Sequence, residues 1–590
     1  MHVVATAGHV DHGKSTLVAA LTGTDPDRYA EEKRRGLTID LGFAWTEIDG
    51  EQVAFVDVPG HERFVTTMLA GVGSVPAVLF VVAADEGWMP QTQEHLEALD
   101  GLGVERGLLV ISRSDLGDAD LATFEAREHL SGTTLATMTS VAVSAVTGQG
   151  MDELRREIAR LVGALSPARS DAPVRLWVDR VFTMRGAGTV VTGTLSAGSI
   201  RAGDRLALGD GRVVTVRALQ SLGRTVDAAT AVSRVALNLR GITTDDVSRG
   251  DALTTPGTCT VTGLVDVRMR RQVAVPGESV LHIGSAHVPV HVRPLGEGRH
   301  ARLRLASPLP LRLGDVGLLR DPGRGQVVGG FTVLDLDPPA LQRRGDAGRR
   351  ASELSDLGDA ASAAEELSRR RVVERSGLLR MGFERAEVDA LGDAVPSGKG
   401  WLVAPAHAEE LVARLEELVS RHAQSEPLSP GLPTETARQR LGLPAVELLE
   451  VLVRPPLRLE AGVVVDGRRK DGAALPPSVA SSVHALLEQL EKAPYVAPEA
   501  NRLQELGLGK RELAAAVRAG ALVRIGEAIY LSPEAVRDAV QPLRRLSQPF
   551  TMSDARQAWE TSRRVAIPLL QHLDSLGMTE RLSDDRRRVV

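Results

Sequence analysis

The chain has 590 residues, more than a single hydrophobic core organises, and this length predicts about four domains. No apolar run reaches the roughly 18 residues of a membrane-spanning helix, and a single cysteine, Cys259, excludes a disulfide framework or a cysteine-based metal cage. The net charge of −6 excludes a globally basic surface, so basic regions must be sought locally. Because a predicted strand begins at His2, we expect no signal peptide and a cytoplasmic protein.

The first predicted strand, His2–Ala7, leads directly into Gly-His-Val-Asp-His-Gly-Lys-Ser between Gly8 and Ser15. This is the GxxxxGK[ST] pattern of a phosphate-binding loop, whose backbone N–H groups surround nucleotide phosphates. In such a loop Lys14 reaches the β- and γ-phosphate oxygens and the Ser15 hydroxyl holds Mg²⁺. The loop residues predicted to contact the nucleotide are Gly8, Val10, Asp11, His12, Gly13, Lys14, Ser15 and Thr16.

Strand-like runs then alternate with helical stretches as far as residue 168. This alternation predicts an α/β domain over residues 1–168, with a mostly parallel sheet and ligand-binding residues at the carboxyl ends of its strands. The further predicted strands are Phe43–Ile48, Val53–Asp57, Val78–Ala83, Leu108–Ser112 and Val141–Ser144.

Three segments of this domain predict a guanine-nucleotide site. Asp57 ends a strand, where its carboxylate holds Mg²⁺ through water, and the Gly60 N–H senses a γ-phosphate. Thr38 is predicted to ligate Mg²⁺ only while that phosphate is present, which couples hydrolysis to the release of a switch segment. The Asp115 carboxylate accepts from two guanine donors that adenine lacks, and residues 144–146 direct a backbone N–H at guanine O6. The residues predicted to surround the base are Ser112, Arg113, Asp115, Ser144, Ala145 and Val146.

From Val174 to Leu336, short strands separated by glycine turns replace the helical periodicity. We predict two consecutive β-barrels, over residues 172–257 and 258–338, with a break at Thr254–Gly257. The predicted strands are Thr189–Thr194, Arg205–Ala207, Arg212–Leu219, Val235–Leu239, Thr260–Met269, His287–Val292 and His300–Leu305.

Residues 343–590 return to helical periodicity, with a loosely recurring unit of about 60 residues. Each unit has a helix, a helix pair and two short strands, which is typical of a winged-helix module, and we expect about four modules in tandem. They include Val372–Pro405, Pro433–Val465, Val479–Leu531 and Thr551–Val590. Winged helices bind nucleic acid or serve as spacers, so this fold alone does not decide the function.

The segments Gly8–Ser15, Arg35–Ile39 and Asp57–His61, together with Asp115, resemble the motifs of the translation-factor GTPases. A GTPase domain followed by two barrels is the layout of elongation factor Tu and its relatives. The resemblance implies GTP and GDP as ligands with Mg²⁺, and His61 as the catalytic residue that positions the attacking water. It also implies that Val10 and Leu37 form an apolar gate, which excludes that histidine until the ribosome engages.

One departure from this family lies in the base-reading motif. The family has Asn-Lys-x-Asp, whereas this chain has Ser112-Arg113-Ser114-Asp115. We expect Arg113 to lay its alkyl stem or guanidinium plane over the base, and Ser112 to reach less far than asparagine.

The winged-helix tail distinguishes this chain from three-domain relatives and resembles that of the selenocysteine-specific elongation factors. Val178–Phe182 and Arg185–Thr194 are similar to the domain of that family where the aminoacyl end of tRNA docks. The resemblance implies that Asp179, Arg180 and Arg234 line a selenocysteyl pocket. A selenol is ionised at neutral pH and serine is not, so arginines there gain charge-assisted contacts only with the former.

The segment Glu560–Leu570 resembles the last module of the same family, the end that binds the selenocysteine insertion hairpin of the message. Ser562 is predicted to cap a recognition helix that carries Arg563 and Arg564 in its first turn. A following hairpin, the wing, carries further arginines. The predicted core-facing residues are Ile567, Leu570 and Leu573, and the predicted RNA-contacting residues are Arg563, Arg564, Arg586 and Arg587.

These observations favour a monomeric GTPase that delivers selenocysteyl-tRNA to the ribosome at UGA codons marked by a hairpin in the message. We expect selenocysteyl-tRNA, that hairpin and the ribosome as partners, and no membrane. Two alternatives stay open. One is a general elongation or initiation GTPase with an unusual extension, and the other is a GTP-dependent regulator whose tail reads DNA.

Overall fold

The structure, a computed structural model, describes residues 2–26, 38–73, 75–184, 188–358, 362–468 and 475–590. The predicted gate residue Leu37 and residues 185–187 of the barrel segment lie outside these ranges. The chain divides into two compact units, Met1–Leu391 and Gly392–Val590, with the boundary inside the predicted tail. Within the described ranges, no helix combines the length and apolar character needed to cross a bilayer.

The first unit begins with a six-stranded sheet in the order β2-β3-β1-β4-β5-β6. Its strands are β1 His2–Ala7, β2 Gly42–Ile48, β3 Glu51–Asp57, β4 Ala77–Ala83, β5 Gly107–Ser112 and β6 Thr139–Ala142. Its helices are α1 Lys14–Thr22, α2 Val65–Val72, α3 Pro90–Leu102, α4 Ala119–Leu130 and α5 Met151–Gly163. β2 is antiparallel to β3 and the other neighbours are parallel, as predicted for an α/β domain.

The central strands of this sheet are apolar at every position because both of their faces are covered. Along β4, Val78, Phe80 and Val82 belong to one buried cluster, and Leu79 and Val81 belong to the other. This burial on both faces explains why the strands read as continuous apolar runs in the sequence. The last strand, β6, ends at Ala142, so the predicted strand end at Ser144 is wrong and that residue lies in the following loop.

Two β regions follow in the same unit. The first is an eight-stranded sheet with the path β7-β16-β11-β12-β15-β9-β8, with β13 paired to β12 and a separate β10–β14 pair. The second is a closed barrel, β17-β20-β19-β18-β21-β22. The strands of the first region are β7 Arg175–Trp177, β8 Arg180–Met184, β9 Gly188–Leu195, β10 Ser199–Arg201, β11 Arg205–Ala207, β12 Val213–Ser221, β13 Arg224–Val226, β14 Ala228–Thr230, β15 Ser233–Arg240 and β16 Ala252–Thr254. Those of the second are β17 Thr260–Met269, β18 Glu278–Ile283, β19 Ala286–Leu295, β20 His300–Leu311, β21 Val316–Asp321 and β22 Gln326–Asp335.

The first unit ends with helices attached to the closed barrel by buried charges. These helices are α6 Asp346–Ser355 and α7 Ala363–Arg370. They are followed by β23 Val372–Glu374, α8 Arg375–Arg380 and α9 Arg385–Ala394, and α9 crosses the unit boundary after Leu391. Asp266 and Asp335 on the barrel are fully buried. Their carboxylates accept hydrogen bonds from Arg302 on the barrel and from Arg350, Arg369 and Arg370 on α6 and α7. This ionic network holds the first helices of the predicted tail on the barrel.

The second unit contains four small groups of hydrogen-bonded strands, counted over its described residues. They are the pair β24 Ser397–Gly398 and β25 Trp401–Val403, the sheet of β26 Leu432–Pro433, β28 Val463–Asp466 and β27 Leu457–Glu460, the pair β29 Val523–Gly526 and β30 Ile529–Leu531, and the pair β31 Thr579–Arg581 and β32 Arg587–Val589. The helices are α10 Pro405–Ser425, α11 Thr434–Leu441, α12 Leu448–Leu452, α13 Pro477–Lys492, α14 Ala500–Glu505, α15 Lys510–Arg518, α16 Pro533–Asp538, α17 Val540–Arg544, α18 Met552–Ala558 and α19 Arg563–Ser575. This alternation of helices and short hairpins confirms the tandem winged-helix architecture.

Candidate functional site

The loop after β1 is held in shape by two features of Gly8. Its φ is +134°, and a Cβ atom at this position would lie 2.1 Å from the Val81 carbonyl oxygen, so only glycine fits. Its N–H group donates a hydrogen bond to the Nδ1 atom of His95, a buried residue of α3, at 2.9 Å. The start of the phosphate-binding loop is therefore fixed by β4 and α3 behind it.

This loop and the carboxyl ends of the parallel strands enclose a cavity of about 550 Å³, a size typical of small-molecule sites. Most of the residues predicted to contact a nucleotide line this cavity. Gly8 and His12 belong to the same loop but are not among the lining residues. The lining residues from that prediction are Val10, Asp11, Gly13, Lys14, Ser15, Thr16, Thr38, Gly60, Ser112, Arg113, Asp115, Ser144, Ala145 and Val146. The His12 side chain is fully buried against the backbone of Val81 and Ala83.

The oxygens predicted to hold Mg²⁺ converge at one end of the cavity. The Ser15 hydroxyl donates a hydrogen bond to the Asp57 carboxylate at 2.6 Å and lies 2.9 Å from the Thr38 hydroxyl. The other Asp57 oxygen accepts from the Thr6 hydroxyl at 2.7 Å, which fixes the carboxylate. Hard oxygen ligands with one carboxylate are the donor set that Mg²⁺ prefers beside phosphates, so these residues fit that ion.

The residues predicted to meet the γ-phosphate lie close to one another. The Lys14 ammonium donates to the Gly8 and His9 carbonyls, at 3.0 and 2.5 Å. A Cβ atom on Gly60 would lie 2.6 Å from the Lys14 Nζ atom, so this close approach requires glycine. The next residue, His61, does not line the cavity, and its Nδ1 atom accepts from the Arg63 N–H at 3.3 Å.

At the end of the cavity predicted to hold the base, Ser112 also has a structural role that its sequence motif did not indicate. Its hydroxyl donates to the His12 carbonyl at 2.7 Å and so joins β5 to the phosphate-binding loop. Arg113 lines the cavity, but its guanidinium group is bound by Asp85 at 3.1 Å and by Glu86 at 2.8 Å. These two carboxylates hold the guanidinium plane, so of the two predicted ways of stacking on the base only that of the alkyl stem is left in this arrangement.

His95 is a residue behind the phosphate-binding loop that the sequence did not single out. The signal was its position on the buried face of α3, at helical spacing with Thr92, Leu96 and Leu99. Burial lowers the pKa of His95 to about 3, so its imidazole is neutral at physiological pH and its Nδ1 atom stays free to accept the Gly8 N–H. Burial likewise lowers the pKa of His12 to about 4.

The structure brings Asp179, Arg180 and Arg234 of the first β region against strand β2. Arg234 binds the Asp179 carboxylate through both Nη atoms, with the Nη2–Oδ1 pair at 2.7 Å. Its guanidinium carbon lies 4.0 Å from the centre of the Phe43 ring, and that of Arg180 lies 5.2 Å from the same centre. Arg180 also pairs with Asp40 at 2.9 Å. The wall of this site is therefore supplied by residues 40–43 of the nucleotide-binding domain, which neither spacing nor motif had indicated.

One donor in this site is unused. The Arg180 Nε atom is buried and has no hydrogen-bond partner within the described part of the chain. Asp179 is also held by the Thr192 hydroxyl at 2.6 Å, so its carboxylate is fully engaged. A buried guanidinium N–H without an acceptor is costly, and an anionic group placed here would satisfy it.

The last module begins its helix α19 at Arg563, as predicted, with Ser562 in the N-cap position. Two details of the prediction are wrong. The Ser562 side chain makes no capping hydrogen bond, and Ile567 is 43% exposed, whereas Leu570 and Leu573 are buried. Ile567 does not face the core because it lies off the buried face of α19. That face consists of Val565, Ala566, Leu569, Leu570 and Leu573.

The predicted RNA-contacting arginines of the wing are already occupied. Arg587 is buried, and its Nε atom lies 2.9 Å from the Asp574 carboxylate, so its guanidinium group is engaged within the module and its contact with RNA stays a prediction. Arg586 is exposed but pairs with Asp584 at 2.6 Å. Arg563 and Arg564 are both exposed at the start of α19.

Comparisons with known proteins agree with this arrangement. Residues 1–164 match the elongation factor Tu GTP binding domain, and residues 542–588 match the winged helix of elongation factor SelB. The chain is 32% identical to the selenocysteine-specific elongation factor of Desulfomicrobium baculatum, over 99% of both chains. It belongs to the selenocysteine-specific elongation factors. The factor of Escherichia coli (strain K12) is likewise 32% identical, over 99% of this chain and 98% of that protein.

A solved structure agrees over the whole length of this selenocysteine-specific elongation factor. The crystal structure of a bacterial selenocysteine-specific elongation factor, EF-Sec, has a TM-score of 0.80 at 27% identity and covers 100% of both chains. This match covers the GTP-binding domain, the β regions and the winged-helix tail. The family match also shows that the cavity belongs to a guanine-nucleotide-binding domain.

Proposed function

We propose that this factor delivers selenocysteyl-tRNA to the ribosome, in a GTP-dependent manner, at UGA codons marked by a hairpin in the message. The observation that supports this most directly is the contact of Arg180 and Arg234 with residues 40–43. Those residues directly follow Thr38, whose hydroxyl lies at the Mg²⁺ end of the nucleotide cavity. The cargo pocket and the nucleotide site thus share one short segment of chain.

In this proposal Ser15, Thr38 and Asp57 would hold Mg²⁺, which would supply positive charge beside the nucleotide phosphates. Lys14 binds the same oxygens, and the Gly60 N–H faces the γ-phosphate. Thr38 stays in place only while that phosphate is present. Residues 40–43 then stay against Arg180 and Arg234, and the pocket remains closed around its cargo.

His61 positions the attacking water when the ribosome engages, and it is otherwise held outside the cavity. After hydrolysis Thr38 is released, and residues 40–43 withdraw from the arginines. The pocket opens, and the factor lets go of the tRNA. The states before and after hydrolysis thus differ in the contact of residues 40–43 with Arg180 and Arg234. A nucleotide switch requires such a difference between its two states.

The pocket selects selenocysteine by charge. The selenolate accepts charge-assisted hydrogen bonds from guanidinium N–H groups, among them the unused Nε of Arg180. The neutral hydroxyl of serine is smaller and gains much less, and it leaves buried donors without an anion. Discrimination between selenocysteyl- and seryl-tRNA therefore depends on Arg180 and Arg234.

The test is protection of the aminoacyl ester from spontaneous hydrolysis. With wild-type protein and GTP we expect strong protection of selenocysteyl-tRNA and weak protection of seryl-tRNA, and neither with GDP. Arg234→Ala should reduce the preference for selenocysteyl-tRNA by about tenfold or more, the value of a hydrogen bond to a charged group, while GTP binding is retained. Arg205→Ala, at an exposed position of the same β region, is the matched control and should behave as wild type.

Equal protection of both tRNAs by wild type would favour a general elongation GTPase. Absence of any protection, with tight binding of the tail to duplex DNA, would favour the nucleic-acid-binding regulator. Protection that is the same with GTP and GDP would contradict the proposed coupling.

Selection of guanine is proposed to rest on Asp115, which lines the cavity. We expect Asp115→Asn to weaken GTP binding by about 100-fold, because the carboxylate charge is lost and the new amide NH2 group faces the guanine 2-amino donor. Binding of xanthosine triphosphate should rise in the same variant, because its 2-oxo group accepts from the new amide. Fluorescent nucleotide competition measures both, and unchanged GTP affinity would remove Asp115 from the base site.

The tail is proposed to bind the hairpin through Arg563 and Arg564 of the last module. Both are exposed in the first turn of α19, where phosphates or an unstacked base can reach them. Binding of the message raises the local concentration of the charged factor at a single codon.

A further inference from the structure

The last two modules of the second unit are joined along one seam. Their buried side chains form a single core that runs from Val483 on α13 to Leu573 on α19. The β29–β30 hairpin of the penultimate module, residues 477–531, lies against α19, since a Cβ on Gly526 would be 3.1 Å from the Pro568 Cβ. The turn of that hairpin therefore has a fixed place beside the start of α19.

Two arginines from different modules flank this turn. The Arg524 Nε atom donates to the Gly526 carbonyl at 3.2 Å. The Arg564 Nη2 atom lies 3.5 Å from the Ala528 carbonyl oxygen, two residues further along the same turn. Arg563 precedes Arg564 in the first turn of α19. Arg524 and Arg564 thus lie where the two modules meet, and Arg563 is exposed beside Arg564 at the start of α19. We call Arg524, Arg563 and Arg564 the seam arginines.

The seam arginines differ in charge balance from the arginines of the last hairpin. Across the described residues, the seam arginines form no ion pair with a carboxylate. The last hairpin instead neutralises its own charge in the pairs Arg581–Asp585, Arg586–Asp584, Arg587–Asp574 and Arg588–Glu580. Phosphates compete poorly with a carboxylate already in place, so the seam arginines are better placed to bind phosphates than the arginines of the last hairpin.

We infer that the turn of the penultimate module and the start of α19 form one phosphate-binding surface for an RNA stem-loop. This inference rests on the proposed hairpin binding by the last module and extends the contact to Arg524. Phosphate contacts of this kind fix the register of the RNA without reading its sequence. Glu527, exposed at the tip of the same turn, lies beside the phosphates and weakens their binding.

The experiment measures binding of the full-length protein to a labelled RNA hairpin, taken from downstream of an in-frame UGA codon in a selenoprotein message of the same genome. Titrations at several salt concentrations give the affinity and its salt slope. Arg524→Ala should weaken binding about three- to tenfold and reduce the slope by about one, the signature of one lost phosphate contact. Arg524→Lys should restore the slope, and Glu527→Gln should tighten binding about twofold, because the opposing charge is gone.

Two further variants separate this inference from the function on which it rests. Arg588→Ala, in a paired arginine of the last hairpin, should leave the salt slope unchanged. Arg563→Ala should weaken binding as Arg524→Ala does. Loss of affinity in Arg563→Ala but not in Arg524→Ala would overturn the seam surface and keep the hairpin proposal. If wild type fails to bind the RNA, or binds duplex DNA more tightly, both are overturned.

Discussion

Gly60→Ala is expected to abolish GTP-dependent retention of selenocysteyl-tRNA and to lower GTP hydrolysis by roughly 100-fold, the cost of a small misplacement in an assembled site. A Cβ atom at this position would lie 2.5 Å from the Val10 backbone nitrogen and 2.6 Å from the Lys14 ammonium. The segment carrying Gly60 and His61 would have to withdraw from the phosphate-binding loop. Ester protection and single-turnover hydrolysis, each with saturating GTP, measure the two effects.

The affinity for GDP should change little in Gly60→Ala, because the proposed role of Gly60 concerns the γ-phosphate alone. Gly163→Ala is the matched control, since a Cβ there meets no atom within 4 Å. It should behave as wild type in both assays. If Gly60→Ala hydrolysed GTP and protected the ester as well as wild type does, the close approach of this segment to the phosphate-binding loop would not be needed for the active state.

Asp335→Asn is expected to produce the largest loss of stability, about 3–5 kcal/mol, the cost of breaking a buried charge network by removing one partner. The carboxylate binds Arg369 at 2.6 Å and Arg370 at 2.7 Å, and it also binds Arg350, whose side chain is 4% exposed. An amide of equal size removes the buried charge that these three guanidinium groups share and leaves them only Asp266 and Glu366 as buried counter-charges. Hydrogen–deuterium exchange of peptides from α6 and α7 measures the loss locally, and calorimetry measures it globally.

This prediction carries a defined pH dependence. Burial alone would raise the pKa of Asp335, but the arginines, Arg369 first, hold it below its usual 3.8. A depressed pKa in the fold means that the carboxylate stabilises fully above pH 3.8 and progressively less as the pH falls below that value. The difference between wild type and Asp335→Asn should therefore be constant near neutrality and shrink in acid.

Glu374→Gln provides the matched control for Asp335→Asn. Glu374 pairs with Arg380 at 3.6 Å, and both side chains are nearly half exposed. Removal of this pair should cost less than about 1 kcal/mol, as for other surface ion pairs. Similar exchange rates in α6 for both variants would show that the buried network does not hold these helices.

Local patterns were sufficient for much of the fold. β1, β11 and β17 begin and end where the sequence predicts, because their apolar positions and the turn residues beside them are visible in the local sequence. β6 was misplaced by two residues, since the short run Val141–Ser144 carries apolar side chains past the point where its pairing with β5 ends. Element boundaries depend on the partner strand, which a single segment does not contain.

The sequence predicted the parts of the site that depend on backbone shape. It did not predict which side chains form ion pairs or ring contacts with each other. Gly8 and Lys14 follow from one contiguous motif. The partners of Arg234 come from residues 43 and 179, far away in the chain, so no local spacing announces them. The same reason explains why the sequence did not indicate the ion pair of Arg587, since Asp574 lies beside it only in the folded module.

The sequence by itself determined the class of chemistry of this factor, through a contiguous phosphate-binding loop, the ordered nucleotide motifs and the change of periodicity from strands to winged helices. The tertiary structure alone decided which charges are available. It paired the arginines of the last hairpin with carboxylates and buried Asp266 and Asp335 among arginines. Charge is a property of neighbours in space, since Coulomb energy and desolvation depend on distance and burial rather than on position in the chain.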